Sequence, residues 1–293
     1  MKPSLRHRLG RLAVFVFRFR ALPFSRWLFA EAQGPSDLRR TLFGFDFTGD
    51  VSRSPVQQLL YVEGERAVGE RHFVRALVRP GDHVLDVGAN IGYYLLLFQQ
   101  TVGLSGSITC IEPDPDNLRE LRSNITRNGF QNVRLLEAAV GSAEGRVSIA
   151  RGLNSCVDDD TDRGHEARLV ALDSVADQPV DLLKIDVEGY ELEVLRGACV
   201  LLERQQPTVL LEVHPHLLGK YGADFASIVR LLTLYYRDIR YFEMPKHESL
   251  WDKIRSRYLG ADLVRPMKAS ASRTAPVNRN TFWMVCRVEQ ARD

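Results

Sequence analysis

The sequence predicts an α/β fold built on a mostly parallel sheet with helices on both faces. Two observations predict it. From about residue 70 onward, short β-type apolar runs alternate with stretches of helical spacing, and the first run ends in a glycine-containing turn that opens a helix. A chain of 293 residues, 45% hydrophobic and 26% charged, also buries a large core without disulfides or structural metals. The same composition excludes disordered, collagenous and coiled-coil classes.

The elements follow in order. His83 to Val87 reads as the first strand, after the turn Arg79-Pro80-Gly81-Asp82, and Gly88 to Gly92 leads into a helix beginning near Tyr93. Ser107 to Ile111 is the second strand and ends at Glu112-Pro113. The next helix is marked by Asp114 as cap, Pro115 in the first turn, Leu118, Leu121 and Ile125 at helical spacing, and Gly129 as stop. Residues 132–140 give a third strand, 141–180 an irregular polar stretch and 181–187 a fourth strand. Leu192, Leu195, Cys199 and Leu202 mark one further helix. Thr208 to Val213 is the fifth strand and 225–236 another helix, with two last strands at 240–244 and 282–288. Between those two, 245–280 carries eight Lys/Arg against three acids and reads as a lid or mobile loop of the domain 51–293.

Residues 1–50 form a basic N-terminal arm, expected to be helical. The first 30 residues hold seven Lys/Arg and no acid, which makes them +7 in a chain of net +2. Interleaved aromatics fit either a helix packed on the domain or peripheral contact with an anionic membrane surface. The uncharged stretch 87–111 is broken by glutamines, serines and glycines and is not a membrane span. Cysteines 110, 156, 199 and 286 show no paired spacing, which suits a reducing, cytoplasmic compartment. No nucleic-acid module is present in the sequence. The loop with Asp158, Asp159, Asp160 and Asp162 lacks the pattern of a calcium loop and reads as solvated.

Two constellations carry chemistry. In the turn Asp86-Val87-Gly88-Ala89-Asn90-Ile91-Gly92, glycines let a ligand approach the backbone beside a helix N-terminus. Asn90 stands where a dinucleotide fold would want a glycine, so a pyrophosphate cradle is poorly supported. Glu112, at the carboxyl end of the second strand, can take both hydroxyls of a ribose, and Glu137-Ala138 at the end of the third is where an adenine would rest. Asp86 and Asn90 then lie toward the amino-acid end. A nucleoside held without phosphate points to S-adenosylmethionine.

The second constellation places Lys184, Asp186 and Glu188 on one face of a strand that should be buried, with Glu212 and His214 at the end of the next. Charge there is costly and asks for a reason. For Lys184 alone an ion pair with a neighbouring carboxylate suffices, whereas Asp186, Glu188 and His214 read as functional.

Asp86-Val-Gly-Ala-Asn-Ile-Gly, Glu112-Pro-Asp, Asn124 with Asn128-Gly129, Ala138-Ala-Val-Gly, Leu172-Asp173, Lys184-Ile-Asp-Val-Glu-Gly-Tyr-Glu and Leu195-Arg-Gly-Ala occur in that order. The set resembles the FkbM family of S-adenosylmethionine-dependent methyltransferases over about residues 80–215. The resemblance implies a class I methyltransferase fold, Rossmann-like, and O-methylation of a hydroxyl on a sugar, glycan or polyketide-like metabolite. His214 or Asp186 is then the expected general base, with Glu188 orienting it, and no metal is required. Alternatively Asp186, Glu188, Glu212 and His214 hold a divalent cation that lowers the hydroxyl pKa. Two other classes stay open: a nicotinamide oxidoreductase on a related sheet, and a non-catalytic methyltransferase-like binding module.

Overall fold

The computed structural model describes residues 37–50, 57, 60, 70–150, 157, 164–243, 265–266 and 281–288. The chain divides into two compact units, Met1–Arg66 and Ala67–Asp293.

In the first unit the described strands β1 (Asp37–Leu42) and β2 (Phe45–Asp50) form an antiparallel hairpin. Phe43 and Gly44 make its two-residue turn with φ of 54° and 91°, the positive values that let a hairpin turn match strand twist. The expectation of a helical arm fails for this portion. The rest of the arm, including the basic residues 1–30, lies outside the described residues.

The described elements of the second unit begin with helix α1 (Glu70–Arg75), then β3 (His83–Val87), α2 (Tyr93–Val102), β4 (Ser107–Ile111), α3 (Pro115–Arg127) and β5 (Val133–Leu136). Helix α2 is apolar on almost every side, with Leu95, Leu96, Leu97 and Phe98 fully buried. Helix α3 begins as its sequence requires: the Asp114 carboxylate accepts from the N–H groups of Asp116 (2.9 Å) and Asn117 (3.0 Å), with proline in the first turn.

The expected third strand is broken. After β5 the chain turns at Glu137-Ala138 and its continuation, β6 (Ala139–Val140), joins a separate three-stranded sheet with β7 (Gly145–Ala150) and β8 (Gly164–Val170). The stretch expected to be irregular therefore contains two strands and a short helix, α4 (Leu172–Val175). The acidic run 158–160 and Asp162 lie outside the described residues.

The chain returns to the main sheet with β9 (Leu182–Ile185), followed by α5 (Glu191–Arg196), α6 (Cys199–Arg204) and β10 (Thr208–Val213). The single helix expected over 192–202 is split at Gly197, where a side chain would meet the Gly141 carbonyl oxygen at 1.9 Å. Then come α7 (Pro215–Leu218), α8 (Phe225–Leu232), β11 (Asp238–Glu243), β12 (Arg265–Pro266) and β13 (Phe282–Arg287). Apart from β12, the expected lid 245–280 lies outside the described residues.

The eight strands run β12-β11-β13-β10-β9-β3-β4-β5, with β5, β4, β3, β9 and β10 parallel and β13 antiparallel to both its neighbours. From β3 the chain builds outward through β4 and β5, then starts again on the other side at β9. The crevice over the carboxyl ends of β3 and β9 is the switch point where open α/β sheets take their ligands.

Candidate active site

At the end of β3 the backbone has no room for a side chain. Gly88 has φ of 77°, and a Cβ there would lie 1.9 Å from the Asp186 carbonyl oxygen, so the turn after β3 and the turn after β9 touch. Asn90, with φ of 51°, belongs to the few residue types that take this conformation, and its Oδ1 accepts from the Ile91 N–H at 2.8 Å. From α3, the buried Asn124 donates to the Ile91 carbonyl at 2.9 Å. The turn is thereby fixed from both sides.

Glu112 follows β4 and is buried. Its Oε2 accepts from the Asn90 N–H at 2.8 Å, and its Oε1 from the Asp114 N–H at 3.0 Å and the Asn117 amide at 3.2 Å. Burial pushes its carboxyl up to about 7, with those hydrogen bonds pulling it back. A carboxylate anchored beside a turn that begins at side-chain-free Gly88 could hold the ribose or amino-acid end of S-adenosylmethionine. Ala138 is buried at the following strand break. Glu137 is not drawn in: it is about half exposed and ion-paired with Arg122 of α3.

Asp86 is taken up in an ion pair with Lys184. It is fully buried, with Oδ1 at 2.9 Å from Lys184 Nζ. Burial raises its carboxyl and Lys184 opposes the rise. Lys184 also donates to the Gly88 carbonyl at 3.0 Å and lies 4.6 Å over the Tyr94 ring. The hydroxyls of Tyr94 and Tyr93 donate in turn to fully buried Glu70. Glu70 carries no signal in the sequence, because a lone acid at the start of a short helix usually faces solvent.

Asp186, Glu188 and His214 do converge, at the carboxyl ends of β9 and β10. His214 Nε2 lies 3.4 Å from Glu188 Oε2 and 3.9 Å from both Asp186 Oδ1 and Glu212 Oε1. Its Nδ1 faces Glu191 Oε1 at 2.8 Å. Trp283 of β13 donates to Glu212 at 3.3 Å. Glu188 has φ of 51°, an uncommon conformation for its type and a form of strain that collects at functional sites.

Burial alone would lower the His214 imidazole, but the Glu191 bond and the charges of Asp186, Glu188 and Glu212 outweigh it and hold it at about 9. Burial pushes Glu188 up to about 7, with His214 pulling it down and Asp186, Glu212 and Glu191 pushing it further up. The histidine is therefore cationic at neutral pH, and Glu188 is poised to exchange a proton there.

A sheet in the order β5-β4-β3-β9-β10-β13-β11 with β13 alone reversed, glycine at the end of its first strand and an acid at the end of its second, defines the class I S-adenosylmethionine-dependent methyltransferases. The model of the methyltransferase FkbM domain matches residues 86–241, more than half of the chain, which therefore belongs to that family. A similar protein is the hexuronic acid methyltransferase AglP of Haloferax volcanii, 27% identical over 202 residues that cover 64% of this chain and 78% of the relative. Arsenite methyltransferase of Halobacterium salinarum is 30% identical over 85 residues, covering 28% of this chain and 21% of its own. Among solved structures, an FkbM methyltransferase from Methylobacillus flagellatus covers 78% of this chain at 15% identity and a TM-score of 0.46. This chain spans about half of that protein's length, 52%.

Cys110, Cys199 and Cys286 are free thiols, and among the described residues no helix is long and apolar enough to cross a membrane.

Proposed function

We propose that the protein transfers a methyl group to a hydroxyl oxygen of a sugar or glycan. The observation that carries this reading is the His214 cluster, where an imidazole and two partly exposed carboxylates meet beside the cofactor turn. A hydroxyl is a poor nucleophile at neutral pH and needs a proton acceptor in reach. A carboxylate acceptor would need none, and would meet Asp186, Glu188 and Glu212 as like charges. The likeness to a hexuronic acid methyltransferase favours a sugar.

S-adenosylmethionine supplies an already activated methyl group, so the protein's work is alignment and proton management. The Gly88 to Gly92 turn and Glu112 hold the amino-acid and ribose ends, with Ala138 toward the base. His214 stays protonated and donates from Nε2 toward Glu188 Oε2. Glu188 Oε1 is then the oxygen that accepts the hydroxyl proton, with Asp186 orienting the acceptor. This assignment exchanges the roles expected from sequence for His214 and Glu188, because four surrounding carboxylates keep the imidazole charged.

A second reading rests on the donor atoms of Asp186, Glu212 and His214, which lie within 4.8 Å of one another and would suit one divalent cation. Labelled cofactor incubated with a sugar panel, with and without chelator, tests both. Transfer that survives chelation and falls roughly 10²–10⁴-fold in Glu188→Gln supports the metal-free route. Transfer that stops with chelator and returns with magnesium or manganese supports the second, and transfer to no sugar contradicts both.

A further inference from the structure

Glu191 is fully buried, two residues beyond the Glu188-Gly189 turn, and neither oxygen faces solvent. Its Oε1 serves two partners that come from different strands. It faces His214 Nδ1 at 2.8 Å, at the end of β10, and accepts the Gly189 N–H at 3.0 Å, in the turn after β9. Its Oε2 has no hydrogen-bond partner among the described residues. A buried carboxylate with one bare oxygen is destabilising unless its other contacts repay it, so packing alone gives no reason for an acid here.

The two partners are also linked through Leu217. Gly189 has φ of 102°, and a side chain there would meet Leu217 Cβ at 2.7 Å. Leu217 lies in α7, the helix that His214 opens, and its N–H bonds the His214 carbonyl at 2.9 Å. Through one atom, then, Glu191 ties the strained residue Glu188 and the imidazole to the same point. Because a carboxylate only accepts, the contact requires the proton on Nδ1 and leaves Nε2 turned to Asp186, Glu188 and Glu212. Two other titratable rings stand nearby: His216, 6.2 Å from His214 between centroids, and Tyr221, whose Cε2 a side chain at Gly189 would meet at 2.9 Å.

We propose that Glu191 is a positioning residue: it holds His214 by Nδ1 and the Glu188 turn by the Gly189 N–H, setting the distance between the two groups that handle the acceptor proton. Its catalytic consequence rests on the reading of the site as a hydroxyl methyltransferase, whereas the anchoring itself does not.

The two are separable by experiment on the full chain. In proton NMR with nitrogen-15 labelling, the parent protein should show a low-field imidazole N–H signal from His214, slow to exchange. Glu191→Ala should abolish it. Glu191→Gln, which keeps an accepting oxygen without the charge, should keep the signal but move it upfield. Calorimetry should find S-adenosylhomocysteine affinity unchanged in both variants. Turnover on the sugar acceptor should fall on the order of 10–100-fold in Glu191→Ala, the range for carboxylates that orient a metal-bound histidine through its other nitrogen, and recover in part in Glu191→Gln. No low-field signal in the parent, or one that persists in Glu191→Ala, overturns the proposal. Should Glu191→Ala fail to fold, an identical signal in Glu191→Gln and the parent overturns it. An intact NMR pattern with no sugar methylated refutes the hydroxyl-transfer reading and leaves the anchoring standing.

Discussion

Asp86 and Lys184 are partners in the β3–β9 ladder, and the Lys184 ammonium lies 2.9 Å from the Asp86 carboxylate with both side chains withdrawn from water. The pair sits directly beneath the cofactor turn, because the same ammonium donates to the Gly88 carbonyl. Breaking such a pair leaves one charge buried alone, at about 3–5 kcal/mol. Lys184→Met should therefore lower unfolding free energy by about that amount in chemical denaturation. The double variant Asp86→Asn, Lys184→Met should regain a large part of it. Equal stability of single and double variants would show that the two charges are not coupled.

Glu112 closes the turn by accepting the Asn90 N–H, and in the proposed function its carboxylate also holds the ribose. Glu112→Ala should weaken S-adenosylhomocysteine binding by about 1.5–3 kcal/mol, the range for a hydrogen bond to a charged group. Isothermal calorimetry reads it directly, and unchanged affinity would remove Glu112 from the pocket.

The pH profile follows from the two shifted groups. Glu188 must lose its proton to accept one, so turnover rises as pH passes about 7. His214 must keep its proton to remain the cationic donor, so turnover falls as pH passes about 9. In Glu188→Gln the rising limb near 7 should disappear from whatever activity remains. A rising limb that persists unchanged assigns the proton acceptor elsewhere.

The same shifts bear on stability with a definite sign. His214 binds its proton more tightly folded than unfolded, so its contribution is complete below its unfolded value of 6.5 and is lost as pH rises through about 9. Glu188 acts in the same direction between 4.5 and about 7. The denaturation midpoint should fall across this span, and His214→Gln should flatten its upper part. A parent midpoint that rises from pH 7 to 9 would contradict the cluster's charge state.

Where a local rule decides the structure, the sequence was legible. Asp114 with Pro115 begins α3 as a capped helix, and the end of β3 is where the glycine turn placed it. Asp186 and Glu188 were singled out on the expectation of a strand through Val187, but β9 ends at Ile185, so they stand in the turn beyond it and meet His214 there rather than by strand alternation. Glu191 stood in the quoted motif Lys184-Ile-Asp-Val-Glu-Gly-Tyr-Glu but was given no role, because only the turn after β9 brings the helix start to His214. The break at Glu137-Ala138 depends on β6 finding β8, a pairing over a distance no local pattern carries. The strands β7 and β8 had a signal that went unread: Arg146-Val147-Ser148-Ile149 alternates polar and apolar as a half-buried strand should. The pairing of Asp86 with Lys184 was not legible, because that register is a property of two strands together.

The central claim is methyl transfer to a hydroxyl, and the linkage formed tests it most directly. Labelled S-adenosylmethionine, the protein and a panel of neutral and uronic-acid-terminated glycans are incubated, and the labelled product is treated with mild alkali. The account predicts label on the sugar in an ether, which alkali leaves intact and which Glu188→Gln largely fails to form. Label released by alkali as methanol would mean that a carboxylate is the acceptor, and would contradict the role given to Glu188.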